Sequence, residues 1–193
     1  QPSMTDLLDI TDDSDPLNIS KGNPGLKPSF TNSLRGSYNT FRQSYQQAIM
    51  AYVNYSNTRN SISSKVTYDD KTGGRTTRPE NINGNWNVDG GLMFNTAIDS
   101  AGYFNVNTFT QVSYQNQVGY LSLSGTDSQK NTTRTTSLSE RLAASYRNSW
   151  FEFELNGQLK FNHTRNLLQA QNNLDTWNFN YGANIGFTLP WGT

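Results

Sequence analysis

The feature that most constrains this chain is a period of two that runs from about Thr31 almost to its end. Seven stretches alternate apolar with polar residues. The first sets Leu34, Gly36, Tyr38 and Thr40 against Ser33, Arg35, Ser37 and Asn39, and the second aligns Ile49, Ala51, Val53 and Tyr55. The third carries Trp86, Val88, Gly90, Leu92 and Phe94, and the fourth Phe104, Val106, Thr108, Thr110, Val112 and Tyr114. The fifth carries Leu138, Leu142, Ala144 and Tyr146. In the sixth, Phe151, Phe153, Leu155, Gly157, Leu159 and Phe161 alternate with Glu152, Glu154, Asn156, Gln158, Lys160 and Asn162. The seventh runs from Trp177 through Phe179, Tyr181, Ala183, Ile185 and Phe187 to Leu189. Successive side chains of a strand point to opposite faces, so each stretch predicts one apolar and one polar face. The expected fold is all-β, an antiparallel up-and-down meander of about seven long strands.

Length separates a soluble sheet from a membrane one. The alternation persists for about 10 to 14 residues per stretch, whereas soluble strands are roughly half as long. A tilted strand crosses a bilayer in about 9 to 11 residues. The connections agree. Short ones near 42–46, 97–102 and 148–149 alternate with long ones near 57–82, 115–135 and 165–175. Outer-membrane barrels have short periplasmic turns and long extracellular loops. The strands are therefore expected to be part of a transmembrane β-barrel, with 1–29 an irregular segment on the extracellular side and 30–193 the barrel strands. Trp150 and Trp191 are expected at the periplasmic interface, and Trp86 and Trp177 toward the outer one.

Composition fits. Hydrophobic residues make up 33% and mean hydropathy is −0.74, low for a soluble domain. Disorder is disfavoured, because aromatics reach 12% and the formal net charge is zero. There is no cysteine, which excludes disulfides and thiolate metal sites. No apolar run is long enough for a transmembrane helix, and no signal peptide opens the chain. The neutral balance gives no support for nucleic-acid binding.

Finer expectations follow from local residues. A two-residue turn at Asn148-Ser149 would pair Tyr146 with Phe151, Ala144 with Phe153 and Leu142 with Leu155. It would set Arg147 diagonal to Glu152 and Arg141 diagonal to Glu154. Glu140 has the parity of the apolar face and is expected near the outer rim, where a charge costs little. Gly73-Gly74 reads as a turn and Gly90-Gly91 as a strand irregularity. The single histidine, His163, reads as a solvated rim residue, and Glu152 and Glu154 read as lumen lining. Asp9, Asp12, Asp13 and Asp15 read as a solvated acidic loop, since they lack EF-hand spacing. No catalytic set, metal site or cofactor site is expected.

Within the first segment lies Gly22-Asn23-Pro24-Gly25-Leu26-Lys27-Pro28, a loop that its prolines and glycines keep out of helix or central strand. With Gln1-Pro2-Ser3-Met4-Thr5-Asp6-Leu7-Leu8, Asp15-Pro16-Leu17-Asn18-Ile19, Asn81-Ile82-Asn83-Gly84-Asn85-Trp86 and Leu189-Pro190-Trp191-Gly192, it resembles the TonB-dependent outer-membrane receptors of Bacteroidetes type, an outer-membrane β-barrel family. The resemblance implies a barrel-wall segment of a nutrient transporter, in the bacterial outer membrane and in contact with its lipid. It implies as partners a plug domain, the remaining barrel strands and, through the plug, TonB. This sequence contains no plug and no TonB box, and seven strands is an odd number. It is therefore expected to be a fragment from the middle to later part of the barrel. The alternatives are a soluble β-rich binding or adhesin module, or a small autonomous outer-membrane barrel. Substrate contact is expected in the loop near Asp69–Asn83, at Tyr68, Arg75, Arg78 and Trp86, because guanidinium donors and aromatic faces suit anionic chelates or sugars.

Overall fold

A computed structural model of the chain describes residues 2–43, 46–122 and 126–188. Its main body is one seven-stranded antiparallel sheet. In chain order the strands are β3 (Phe30–Arg42), β4 (Gln47–Arg59), β7 (Asn85–Ala97), β8 (Phe104–Leu121), β9 (Gln129–Arg147), β10 (Phe151–Asn166) and β11 (Leu174–Phe187). Each pairs with its neighbour in this series, so β3 and β11 are the two edges. All seven predicted strands form, and β8, β9 and β10 reach 18, 19 and 16 residues. The loop expected near 165–175 is present at 167–173, whereas the segment near 115–135, also expected as a loop, consists largely of extensions of β8 and β9. Their Thr, Asn and Gln residues continue the ladder past the apolar stretch, as in Gln117↔Thr133 and Arg165↔Arg134.

The register keeps apolar beside apolar across the whole sheet. One transverse row runs Gly36, Val53, Gly90, Val112, Leu138, Phe161, Trp177. The face is also the exposed one: Leu92 is 47% accessible, Leu142 53% and Leu155 51%. Among the described residues only Leu26, Ile82 and Val118 are buried apolar side chains, and none of them lies within that face's apolar band. A sheet this size with no protein layer over its apolar face is stable only where the medium is apolar.

Aromatic rings bound the face at both ends. At the short-turn end, Tyr103, Phe104, Tyr146, Trp150, Phe151 and Phe187 form a chain of rings with centroids 5.4–6.5 Å apart. At the long-loop end, Trp86 stacks on Tyr114 at 5.0 Å and Phe161 meets Trp177 at 4.3 Å. Ten residues separate Phe151 from Phe161 on β10, about 34 Å along a strand. At a barrel tilt of about 40° this is about 26 Å of height, matching the apolar band of about 25 Å between the girdles of outer-membrane barrels. Trp150, Trp86 and Trp177 thus lie at the expected ends, and Trp191 is outside the described residues.

Four local expectations are corrected. The β9–β10 hairpin pairs Arg147 with Glu152, Tyr146 with Phe153 and Ala144 with Leu155, two residues away from the predicted register. The cause is the Asn148 side chain, whose Oδ1 accepts from the backbone N–H groups of Trp150 (3.1 Å) and Phe151 (2.8 Å) and so builds a four-residue loop. A shift of two leaves every side chain on its predicted face. It sets Arg147 directly opposite Glu152, with which it forms an ion pair, and Arg141 opposite Gln158 rather than diagonal to Glu154.

Gly90 and Gly91 sit in unbroken ladder rather than at an irregularity. The ring of Tyr52 lies over Gly91, where a Cβ would come within 2.4 Å of it. Glu140 lies inside the apolar band, six residues from Tyr146, rather than at the rim. Both its oxygens are held, by the hydroxyls of Thr108 and Thr110, each at 2.5 Å, which offsets part of the cost of a polar group there. Finally, residues 1–29 are not wholly irregular, because they contribute α1 (Met4–Leu7), β1 (Thr11–Asp12) and β2 (Asn18–Lys21).

The faces give a direct test. Leu155 lies near the middle of the band, so Leu155→Arg should cost about 2–4 kcal/mol of barrel stability. Gln158→Arg, on the polar face, should be near neutral. Equal loss of heat-resistant folded protein in outer membranes would contradict the assignment.

Candidate functional site

The long connection between β4 and β7 is an antiparallel hairpin, β5 (Ser61–Tyr68) and β6 (Arg75–Ile82). Its turn is organised by Asp69. The carboxylate accepts from the Lys71 N–H at 2.9 Å and the Thr72 hydroxyl at 3.0 Å, while Gly73 supplies the positive φ of 72°. These bonds hold the Asp69 carboxyl below its ordinary pKa, the Lys71 N–H contributing most. A second sheet then assembles on the hairpin in the order β1-β2-β6-β5. Strand β2 pairs with β6 in parallel, Asn18 beside Arg75 and Ser20 beside Thr77.

The Gly22–Pro28 loop locks the N-terminal segment to this hairpin. Gly22 packs so tightly that a Cβ would lie 1.8 Å from the Leu8 carbonyl oxygen. Asn23 Nδ2 donates to the Pro79 carbonyl (2.9 Å), and its Oδ1 accepts from the Gly25 N–H (3.1 Å) and from Arg78 Nη2 (2.9 Å). Asn81 Oδ1 accepts from the Lys27 N–H (2.7 Å), while its Nδ2 donates to the carbonyls of Lys27 (2.9 Å) and Asn60 (3.0 Å). Leu26 is buried to 7% accessibility, as Ile82 is to 5%.

The hairpin is tied down to the top of β8. Ser63 Oγ accepts from the Tyr120 N–H at 3.0 Å, and Lys65, paired with Glu80 across the hairpin at 3.5 Å, lies 5.7 Å from the centre of the Tyr120 ring. Gly84, at φ 120°, lies against Val118, where a Cβ would come within 2.8 Å of Cγ2. Residues 127 and 128 extend the contact, since Tyr68 N–H donates to Asp127 Oδ1 (2.7 Å) and Val66 N–H to Ser128 Oγ (2.8 Å).

Of the four residues expected to meet substrate, Tyr68 and Arg75 are Cα partners at the tip of the hairpin. Arg75 Nε donates to Asn18 Oδ1 at 2.5 Å and leaves its terminal nitrogens at an exposed surface. Arg78 lies three residues on and therefore on the other face of β6, engaged with Asn23. Trp86 is apart from them, stacked in the aromatic ring of the main sheet. Sequence reasoning overlooked Asn18, Asn23 and Asn81, which do most of the clamping. A short amide chain beside Pro and Gly is the available signal, since Asn can bond backbone groups in both senses. Among the described residues no three metal-ligating side chains gather.

The polar face of the main sheet is a wall of amides and hydroxyls. Asn54 Nδ2 donates to Asp89 at 2.8 Å, and Ser56 to Asn87 at 2.5 Å. Gln111, Ser113, Ser137, Ser139, Gln158 and Lys160 line one open hollow of this face. Such a surface offers many neutral hydrogen bonds to a polar solute and no nucleophile-base pair.

If Asn81 is the clamp, Asn81→Ala should lower protection against hydrogen exchange in residues 18–27 while leaving β7–β10 unchanged. The expected loss is about 1–3 kcal/mol in local opening. Unchanged protection would mean that β2–β6 pairing alone holds the segment. The Asp69 turn carries a pH expectation. Its folded pKa is depressed, so its stabilisation is present at neutral pH and is lost as pH falls through that lowered value. Asp69→Asn should remove this acid sensitivity of the hairpin turn in the same exchange measurement.

The model of the Outer membrane protein beta-barrel family matches residues 1–147. That span covers the N-terminal segment, its docked hairpin and the strands through β9. Neither the search of curated proteins nor that of solved structures finds a match.

Proposed function

The chain belongs to the outer membrane protein β-barrel family, which places it in the bacterial outer membrane, and from that we propose that it is a wall segment of a TonB-dependent nutrient transporter. The observation that carries a transport role is the pairing of two unlike faces on one sheet. The apolar face, bounded by aromatic rings about 26 Å apart, meets lipid. The opposite face, lined by Asn87, Gln111, Ser137 and Gln158, borders a water-filled lumen. Edges β3 and β11 are both unpaired within the described sheet. Unpaired backbone is costly in hydrocarbon, so further barrel strands complete the wall and a plug occupies the lumen. The Gly22–Pro28 signature and its docking partner Asn81–Trp86 support the TonB-dependent assignment.

In this reading the short turns are periplasmic and the four-stranded sheet stands outside the cell. Solute meets the exposed hairpin tip first, at Tyr68 and Arg75, with Arg78 on the reverse face, and then the amide wall. Trp86 serves as an interfacial anchor below that tip. No catalytic step is involved.

Deleting the gene should identify the solute by its lost uptake. Restoring the receptor with Tyr68→Ala and Arg75→Ala should lower that uptake several-fold at normal surface level. Unaltered uptake would take the hairpin tip out of the path. Uptake that persists after the proton-motive force is collapsed would contradict the TonB assignment itself.

A further inference from the structure

Above the aromatic ring of Phe161 and Trp177, the lipid-facing parity of the sheet carries cations instead of apolar residues. Arg134 on β9 and Arg165 on β10 are direct Cα partners. Both lie on the same face as Leu138 and Phe161, and both are exposed. Like charges opposite one another on neighbouring strands destabilise a sheet unless something of opposite sign lies between them. Protein groups supply little of it. Arg134 Nε donates to the neutral Asn116 Oδ1 at 3.3 Å. Among the described residues neither arginine is within ion-pair distance of a carboxylate. Asp175, on the neighbouring strand β11, is paired with His163, two residues below Arg165. Lys130, four residues above Arg134 on β9, adds a third cation of the same parity.

We propose that Arg134 and Arg165 form a binding site for the phosphorylated headgroup of a lipid in the outer leaflet. The height fits: the pair stands four residues above Phe161 on β10, about 10 Å in a tilted strand, where headgroups follow the hydrocarbon. The chemistry fits as well, because two guanidinium forks on adjacent strands suit a phosphate's oxygens bidentately. Arg165, His163 and Asp175 also line one open depression of about 410 Å³ at the rim. That volume accommodates a sugar phosphate. The lipid identity rests on the sidedness proposed above, but phosphate recognition by the arginine pair does not.

The test uses the full receptor purified in neutral detergent and titrated with bisphosphorylated lipid A in mixed micelles. The expected result is binding that weakens about tenfold or more when Arg134→Gln and Arg165→Gln are combined. Arg141→Gln, on the lumen face, should leave it unchanged. Arg134→Lys with Arg165→Lys should bind with intermediate strength, and heat-modifiable mobility reports that each variant is folded. Dephosphorylated lipid should bind no better than the double glutamine variant, and millimolar inorganic phosphate should not displace the lipid. Equal binding by wild type and the glutamine variant, or by lipid with and without phosphate, would overturn the proposal. Displacement by inorganic phosphate alone would replace a lipid site with a free-anion site. Protease accessibility of the Asp69 turn on whole cells reports sidedness separately, so a wrong orientation is told apart from a wrong site.

Discussion

The structure depends on backbone pairing in a medium without water. In hydrocarbon every N–H and C=O must find a partner within the protein, and a sheet achieves this only strand by strand. The seven strands satisfy this requirement internally along β4 to β10, each bonded on both sides. They do so without a protein core, since among the described residues the buried apolar side chains are Leu26, Ile82 and Val118. In water this would be an unstable sheet with a large exposed apolar face. In a bilayer the lipid fills that role, and the low hydrophobic content of 33% reflects one apolar residue in two rather than a weak core.

The second sheet answers a different need. A long loop above a membrane strand has no lipid to order it, and hydrogen bonds from asparagine take over. Asn23 and Asn81 bond backbone on the facing segment, while Asp69 closes the hairpin turn. Gly22 and Gly84 are there because the backbones or side chains they meet leave no room for a Cβ. The outcome is a four-stranded sheet that is tied to the end of β8 by the Ser63 side chain and presents Tyr68 and Arg75 at its tip.

The barrel strands were legible in the sequence because the bilayer imposes an unbroken period of two. Phe151 to Phe161 is the clearest case, and each predicted face formed. The second sheet was not legible for the opposite reason. In β5 only Ile62, Val66 and Tyr68 share a face, and β6 has no apolar alternation from Arg75 to Glu80, so the period is too short to distinguish strand from loop, and β2 pairs with a segment 57 residues away. The hairpin register failed by two because one side chain, Asn148, decided the turn. Face parity survives such a shift and exact partnering does not. Of the candidate residues, Tyr68 and Arg75 meet through strand pairing, whereas Trp86 was grouped with them by proximity in sequence and belongs to the aromatic ring.

The central claim is that odd and even positions of the same strand face different media. Spin labels at Leu155, Val112, Gln158 and Gln111, one at a time in the protein reconstituted in bilayers, measure this directly. Collision with oxygen should dominate at 155 and 112, and collision with a water-soluble nickel chelate at 158 and 111. If labels at 155 and 112 met the chelate as freely as those at 158 and 111, the apolar face would not be in lipid and the account would fail.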